Sequence, residues 1–184
     1  MPSRLLIHLN ARLRPLDRAA QYEDPLQEVL DARAPGSKIT GGGTLLGADR
    51  EPRSSDIDLD LDGDPQEGLR LVVDALEFLG APKGSTVTLD EEPAVSFGGT
   101  EGLAVYLNGF DLPAEVYAGN DVNELIRQLL DRLGEEGGMQ SYWEGPTETA
   151  LYLYGSSASR MRELIGDVLA THPLAQRCRL VDLP

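Results

Sequence analysis

The chain is poor in the residues that build most cofactor and nucleic-acid sites. Its 184 residues include one cysteine, Cys178, so no intramolecular disulfide can form. Beside "RLV" that cysteine reads as a small buried hydrophobe rather than a reactive thiol. His8 and His172 are the only histidines and no cysteine cluster accompanies them, which argues against a zinc site. Basic residues are few: 16 Lys and Arg stand against 31 Asp and Glu, a formal net charge of -15. A surface of that sign repels nucleic acid and anionic lipid at long range and attracts a basic protein. No stretch approaches the ~18 apolar residues of a membrane span. The opening "MPSRLLIHLNARLR" lacks the apolar run of a signal peptide, so the cytoplasm is the expected location. No serine sits in a Gly-x-Ser-x-Gly elbow. "GAPKGS" at 80–85 does not complete a phosphate-binding loop.

What is present is a regular alternation of helix and strand patterns, and 41% hydrophobic residues to fill a core. "RLLIHLN" sets Leu5, Ile7 and Leu9 against Arg4, Leu6, His8 and Asn10, the period of a half-buried strand. After a polar connection, Asp24, Pro25 and Gln27 have the spacing of a helix start. Leu26, Val29 and Leu30 form its stripe, and Pro35 and Gly36 end it. "SKITGGGTLLG" and "SDIDLDLD" read as paired strands joined by the turn "ADREPRS". Asp64, Pro65 and Glu67 repeat the helix start, Leu69, Val72, Val73 and Leu76 face inward, and Gly80 closes the helix. "STVTLD" completes a β-α-β-β-α-β order.

The order then recurs. "LAVYLNG", a helix opening on Asp121 and Glu124, the hairpin "MQSYWEG"–"TALYLYG", a helix through Met161, Leu164, Ile165 and Val168, and "CRLVDL" make the second set. The fold class expected is α+β: two tandem ferredoxin-like units with antiparallel sheets. Residues 1–90 form the first unit, 91–102 a connector and 103–184 the second. Each sheet should run 4-1-3-2 with both helices on one face.

Alternation also identifies the opposite faces. Ile57, Leu59 and Leu61 belong under the helices, so Asp56, Asp58, Asp60 and Asp62 share the open face, spaced about 6.5–7 Å apart. Arg4, His8 and Asn10 of the first strand should lie near them. In the second unit the open face carries Tyr106 and Asn108, Tyr152 and Tyr154, with Tyr142 or Trp143 from the hairpin partner. Such aromatics either fill the seam between the units or anchor an external partner.

Gly42, Gly43 and Thr44, followed by Asp56 and Asp58, resemble the glycine turn and Asp-x-Asp strand of polymerase-beta-type nucleotidyltransferases. That resemblance implies magnesium held by Asp56, Asp58 and a third carboxylate, for which Asp90 is the candidate. Arg50, Arg53 and Lys38 would be the cations nearest a triphosphate. Against it, four aspartates alternate where the motif needs two, and "LLGADREPR" reads as strand and hairpin turn. The phrases "TGGGT", "GAPKGS", "DLPAEVYAGNDVN" and "SYWEGPTETALYLYG" together resemble a family of small uncharacterised bacterial proteins. That resemblance carries no activity and no site residues.

The favoured functional reading is a non-catalytic, cofactor-free, acidic protein, immunity-like, that binds a basic protein through the Asp56–Asp62 row and Tyr106, Tyr152 and Tyr154. Membrane and nucleic acid are not expected as partners. The alternative is a magnesium-dependent nucleotidyltransferase, and a third reading is a small-ligand sensor.

Overall fold

A computed structural model describes residues 2–184. The chain divides into two compact units, residues 1–100 and 101–184.

In the first unit β1 (Ser3–Leu9) leads into a helical run: α1 (Pro15–Arg18), a π-helical turn (Ala19–Glu23) and α2 (Asp24–Arg33). The hairpin β2 (Lys38–Leu46) and β3 (Pro52–Leu61) follows, then α3 (Pro65–Phe78), β4 (Ser85–Leu89) and a short β5 (Val95–Phe97). The sheet runs β2-β3-β1-β4-β5, every pair antiparallel. Its first four strands are the expected 4-1-3-2 order. Leu5, Ile7, Leu9, Ile57, Leu59 and Leu61 alternate into the core, where Tyr22, Leu26, Leu30, Val72 and Leu76 are also buried. The α3 start forms as its sequence requires: the Asp64 carboxylate accepts from Gln66 N and Glu67 N at 3.0 and 2.9 Å. Gly80 ends that helix at φ 88°, a left-handed conformation.

Two expectations need correcting. Asp24 is not an N-cap. The helical run begins nine residues earlier at Pro15, and Asp24 is already helical at φ -63°, ψ -49°. Pro25 cannot donate within a helix and its ring crowds the preceding turn. The π-turn absorbs this, with Asp24 N bonding Ala19 O five residues back. Tyr22, buried in this turn, extends the Leu26–Leu30 stripe and donates its hydroxyl to Gly80 O at 3.2 Å. The freed Gln27 side chain accepts from Ile39 N at 2.9 Å. Second, residues 91–102 are not all connector. Val95–Phe97 pair with β4, Lys83 N donates to Thr100 O at 2.9 Å, and the next strand already begins at Glu101.

The second unit comprises β6 (Glu101–Asn108), α4 (Ala114–Gly119), α5 (Val122–Leu133), β7 (Gly137–Glu144), β8 (Glu148–Gly155), α6 (Ala158–Thr171) and β9 (Arg179–Leu183). Its sheet runs β7-β8-β6-β9, again antiparallel. Leu103, Val105, Leu107, Leu151 and Leu153 meet Leu125, Leu129, Leu133, Met161, Ile165 and Val168 in one core. The protein is therefore α+β, with two tandem ferredoxin-like units. None of the described helices is long and apolar enough to cross a membrane.

Candidate functional site

The open face of the first sheet is built by register. β3 pairs with β1 so that Asp56 opposes His8, Asp58 opposes Leu6 and Asp60 opposes Arg4. On its other side β3 pairs with β2, setting Gly43 against Asp56, Gly41 against Asp58 and Lys38 against Asp60. Ile57, Leu59 and Leu61 are pinned in the core, so Asp56, Asp58 and Asp60 must stand on the opposite face. Two side chains of β1 answer two of them. His8 Nδ1 lies 2.8 Å from Asp56 Oδ1, and Arg4 reaches diagonally to Asp58 at 3.1 Å. Both pairs are open to water, with the Arg4 side chain 62% exposed, so neither contributes much stability. Asp60 forms no ion pair among the described residues. Leu6, His8, Gly43, Asp56, Asp58 and Thr88 line a shallow concavity of about 460 Å³ on this face.

Asp62 and Asn10 do not belong to this face as expected. β3 ends at Leu61, and Asp62 lies in the bend that delivers Asp64 to the α3 cap. Its N–H donates to Ser37 Oγ at 3.0 Å, and its carboxylate accepts from Gly63 N at 3.1 Å. Asn10 turns to the loop before β4, donating to Lys83 O at 2.9 Å.

The carboxylates of the magnesium reading do not converge. Asp90 sits past the end of β4 at φ 49° and accepts from Arg4 N at 2.8 Å. Among the described residues no group of three His, Cys, Asp or Glu side chains could hold a metal ion. Gly42, Gly43 and Thr44 are not a turn before a helix. They lie in β2, paired with Ile57, Asp56 and Ser55. Arg53 is committed to Asp49 and Glu51, each at 3.1 Å, and Arg50 occupies the hairpin turn at φ 64°. His172 accepts from Leu174 N at 3.2 Å. Cys178 is half-buried, and that burial raises its thiol pKa.

In the second unit Tyr106, Tyr152 and Tyr154 share the face opposite the helices, but they are 4%, 0% and 4% exposed. The Arg179 guanidinium stacks 3.6 Å from the Tyr106 ring centroid. Arg179 is also held by both oxygens of Glu148 at 2.8 Å, and that bond lowers the Glu148 pKa. Tyr142 packs toward the helix-side core. Trp143, opposite Ala150, takes the other face and covers Gly145. Side chains this buried present almost no surface to a partner, so the accessible acidic face is the stronger candidate.

Sequence reasoning missed two features of the first unit. One is the ion-pair network at the hairpin end. Glu51, 3% exposed, takes Arg12 at 2.5 Å and Arg53 at 3.1 Å. The buried Ala11 and Leu13 alternate with Arg12 and Arg14, and that alternation was the available signal. The other is the unequal environment of the three glycines. A Cβ on Gly42 would stand 2.6 Å from Asp56 O, and beside the Arg18–Glu23 pair. One on Gly43 would meet nothing within 4 Å.

No family model and no curated protein matches the chain. Similar solved structures include an unknown protein from Galdieria sulphuraria, at 10% identity and TM-score 0.31, covering 99% of this chain and 97% of that one. The regulatory subunit of aspartate kinase from Thermus flavus aligns at 13% identity and TM-score 0.30, covering 91% and 94%. The ligand-free subunit from Thermus thermophilus aligns at 11% and 0.31, covering 91% and 93%. Likenesses this distant say nothing about activity.

Proposed function

We propose that this is a non-catalytic binding protein, immunity-like in action, that captures and blocks a basic protein in the cytoplasm of a bacterial cell. The observation supporting this reading is the row Asp56, Asp58 and Asp60, with Asp56 exposed and the other two half-buried, answered among the described residues by Arg4 and His8. The net charge of -15 adds a long-range field of the same sign. A strand face left this acidic keeps unfavourable like-charge proximity that a cationic partner would relieve. The opposite charges would chiefly speed the encounter.

The test is capture from cells, identification of the bound proteins, and association kinetics at about 50 and about 500 mM salt. The double variant Asp58→Asn/Asp60→Asn should keep its circular dichroism spectrum. Its on-rate should fall several-fold at low salt and converge with the parent at high salt. Partners of neutral or acidic charge, or an on-rate indifferent to both salt and substitution, would overturn the proposal.

A further inference from the structure

We infer that the β2 edge of the first sheet receives an extended segment of the basic partner as an added strand, with lysine or arginine at alternate positions. The inference rests on the binding role proposed above and specifies its mode. β2 is the outermost strand of its sheet and nine residues long. Natural sheets blunt such edges with charge, proline, bulges or cover. Here those devices stand at the ends. Lys38 opens the strand, Gln27 seals Ile39 N, and register shifts fall between Ile39 and Gly41 and between Leu45 and Leu46. The stretch between them, "GGGTL", carries neither charge nor proline, and Leu45 is 61% exposed.

The glycines give the edge its chemistry. Gly42 points toward the helix layer, where there is no room for a side chain. Gly41 and Gly43 point toward the acidic face and have negative or extended φ, so the backbone does not demand them. A Cβ on Gly41 would make ordinary contact with Asp58 at 3.4 Å, and one on Gly43 would meet open space. Packing therefore explains Gly42 and leaves the other two unexplained. Their effect is a bare strip of backbone between the free edge and Asp56 and Asp58. A strand docked on β2 would lie about two inter-strand spacings, roughly 9.5 Å, from β3. The stems of its alternate Lys or Arg residues could then cross that strip and bring their cationic heads to the two carboxylates. Main-chain hydrogen bonds would supply affinity and the alternate cations selectivity. A second copy of this chain is a poor occupant, because edge-to-edge pairing would juxtapose two rows of aspartates.

Two heptapeptide probes of equal charge test this, one alternating Lys and Val and the other Lys and Pro. Proline cannot complete a ladder. Binding is read by titration calorimetry, and by exchange protection of the Gly42 and Thr44 amides, which alternate with the β3-facing amides of Gly41 and Gly43 and so point to the free edge. The Lys-Val peptide should bind about tenfold or more tightly than the Lys-Pro peptide and protect those amides. Gly43→Val, which fills open space on the face, should keep the fold by circular dichroism and weaken Lys-Val binding several-fold by obstructing its lysine stems. Equal binding of the two peptides would overturn strand addition while leaving the electrostatic role standing. Undiminished Lys-Val binding in Gly43→Val would overturn the passage of the cation stems over the bare strip, and with it the requirement for lysine or arginine at alternate positions. Binding of neither peptide, or β2 amides already protected in a self-associated dimer, would overturn strand addition as well. The capture experiment would then decide the binding role by itself.

Discussion

Substituting alanine for glycine in two helices should give effects of opposite sign, because the two sites differ in what a methyl group would meet. Gly68 lies in α3 and Gly166 in α6, both inside helices of 14 residues. In an unobstructed helix, Gly→Ala gains about 0.8–1 kcal/mol of intrinsic propensity. At Gly166 a Cβ meets nothing within 4 Å, so Gly166→Ala should deliver most of that gain. At Gly68 the new carbon would stand 2.3, 2.5 and 2.8 Å from Cδ2, Cδ1 and Cγ of Leu61. Leu61 is 1% exposed and cannot swing out. Overpacking of this kind costs about 1–3 kcal/mol, which outweighs the propensity gain and leaves a net loss near 1 kcal/mol. Leu61→Val removes the obstructing δ carbons, so Gly68→Ala should cost less in that background than in the parent, a favourable coupling. The assay is urea unfolding followed by far-UV circular dichroism, with amide exchange assigning each change to its unit. If Gly68→Ala proves as stable as Gly166→Ala, or if the double variant shows no coupling, α3 and β3 are not packed as closely as argued.

Buried serines offer a similar contrast. Ser55 Oγ is buried without a hydrogen-bond partner among the described residues, so Ser55→Ala should be neutral or slightly stabilising in the same urea assay. Ser85 Oγ donates to Pro82 O at 2.7 Å and accepts from Asn10 N at 3.1 Å, so Ser85→Ala should cost about 1–3 kcal/mol. Glu124 should remain ionised to about pH 2, because Arg127 and then Gln128 hydrogen-bond its carboxylate, against an ordinary value of 4.5. A depressed carboxylate stabilises the fold above the unfolded pKa. Its contribution should fade as pH falls from about 4.5 to about 2, with Arg127→Gln raising the midpoint of its carboxyl NMR titration.

Legibility in the sequence tracked how local each physical constraint was. "DIDLDLD" declared both its period and its buried face, because three aliphatic residues interleaved with aspartates leave one orientation. "DPQE" declared the α3 start because the cap is a bond between residues two and three apart. The same grammar misled at "EDPLQ". There Asp24, Pro25 and Gln27 have a helix start's spacing inside a helix already running. What distinguishes the two is the π-turn before Pro25 and the burial of Tyr22, and both depend on tertiary packing. β5 was illegible for a related reason: three residues carry almost no period, and the strand exists because β4 offers an edge. The tyrosines of the second sheet were placed on the correct face by alternation, but a face assignment does not determine burial.

The same distinction separates the aspartate row from a metal centre. Any Asp-x-Asp in a strand sets two carboxylates on one face about 7 Å apart, so the spacing is necessary for a shared metal and far from sufficient. What decides is the neighbouring strand. Here β1 presents Arg4 and His8 at the heights of Asp60 and Asp56, and their side chains take Asp58 and Asp56. Asp58 is drawn toward Arg4 and Asp56 toward His8 rather than toward a common point. A third acid would have to stand where β1 has placed positive or titratable groups. That information was present in "RLLIHLN", since a strand with Leu5, Ile7 and Leu9 buried must turn Arg4 and His8 to the acidic side.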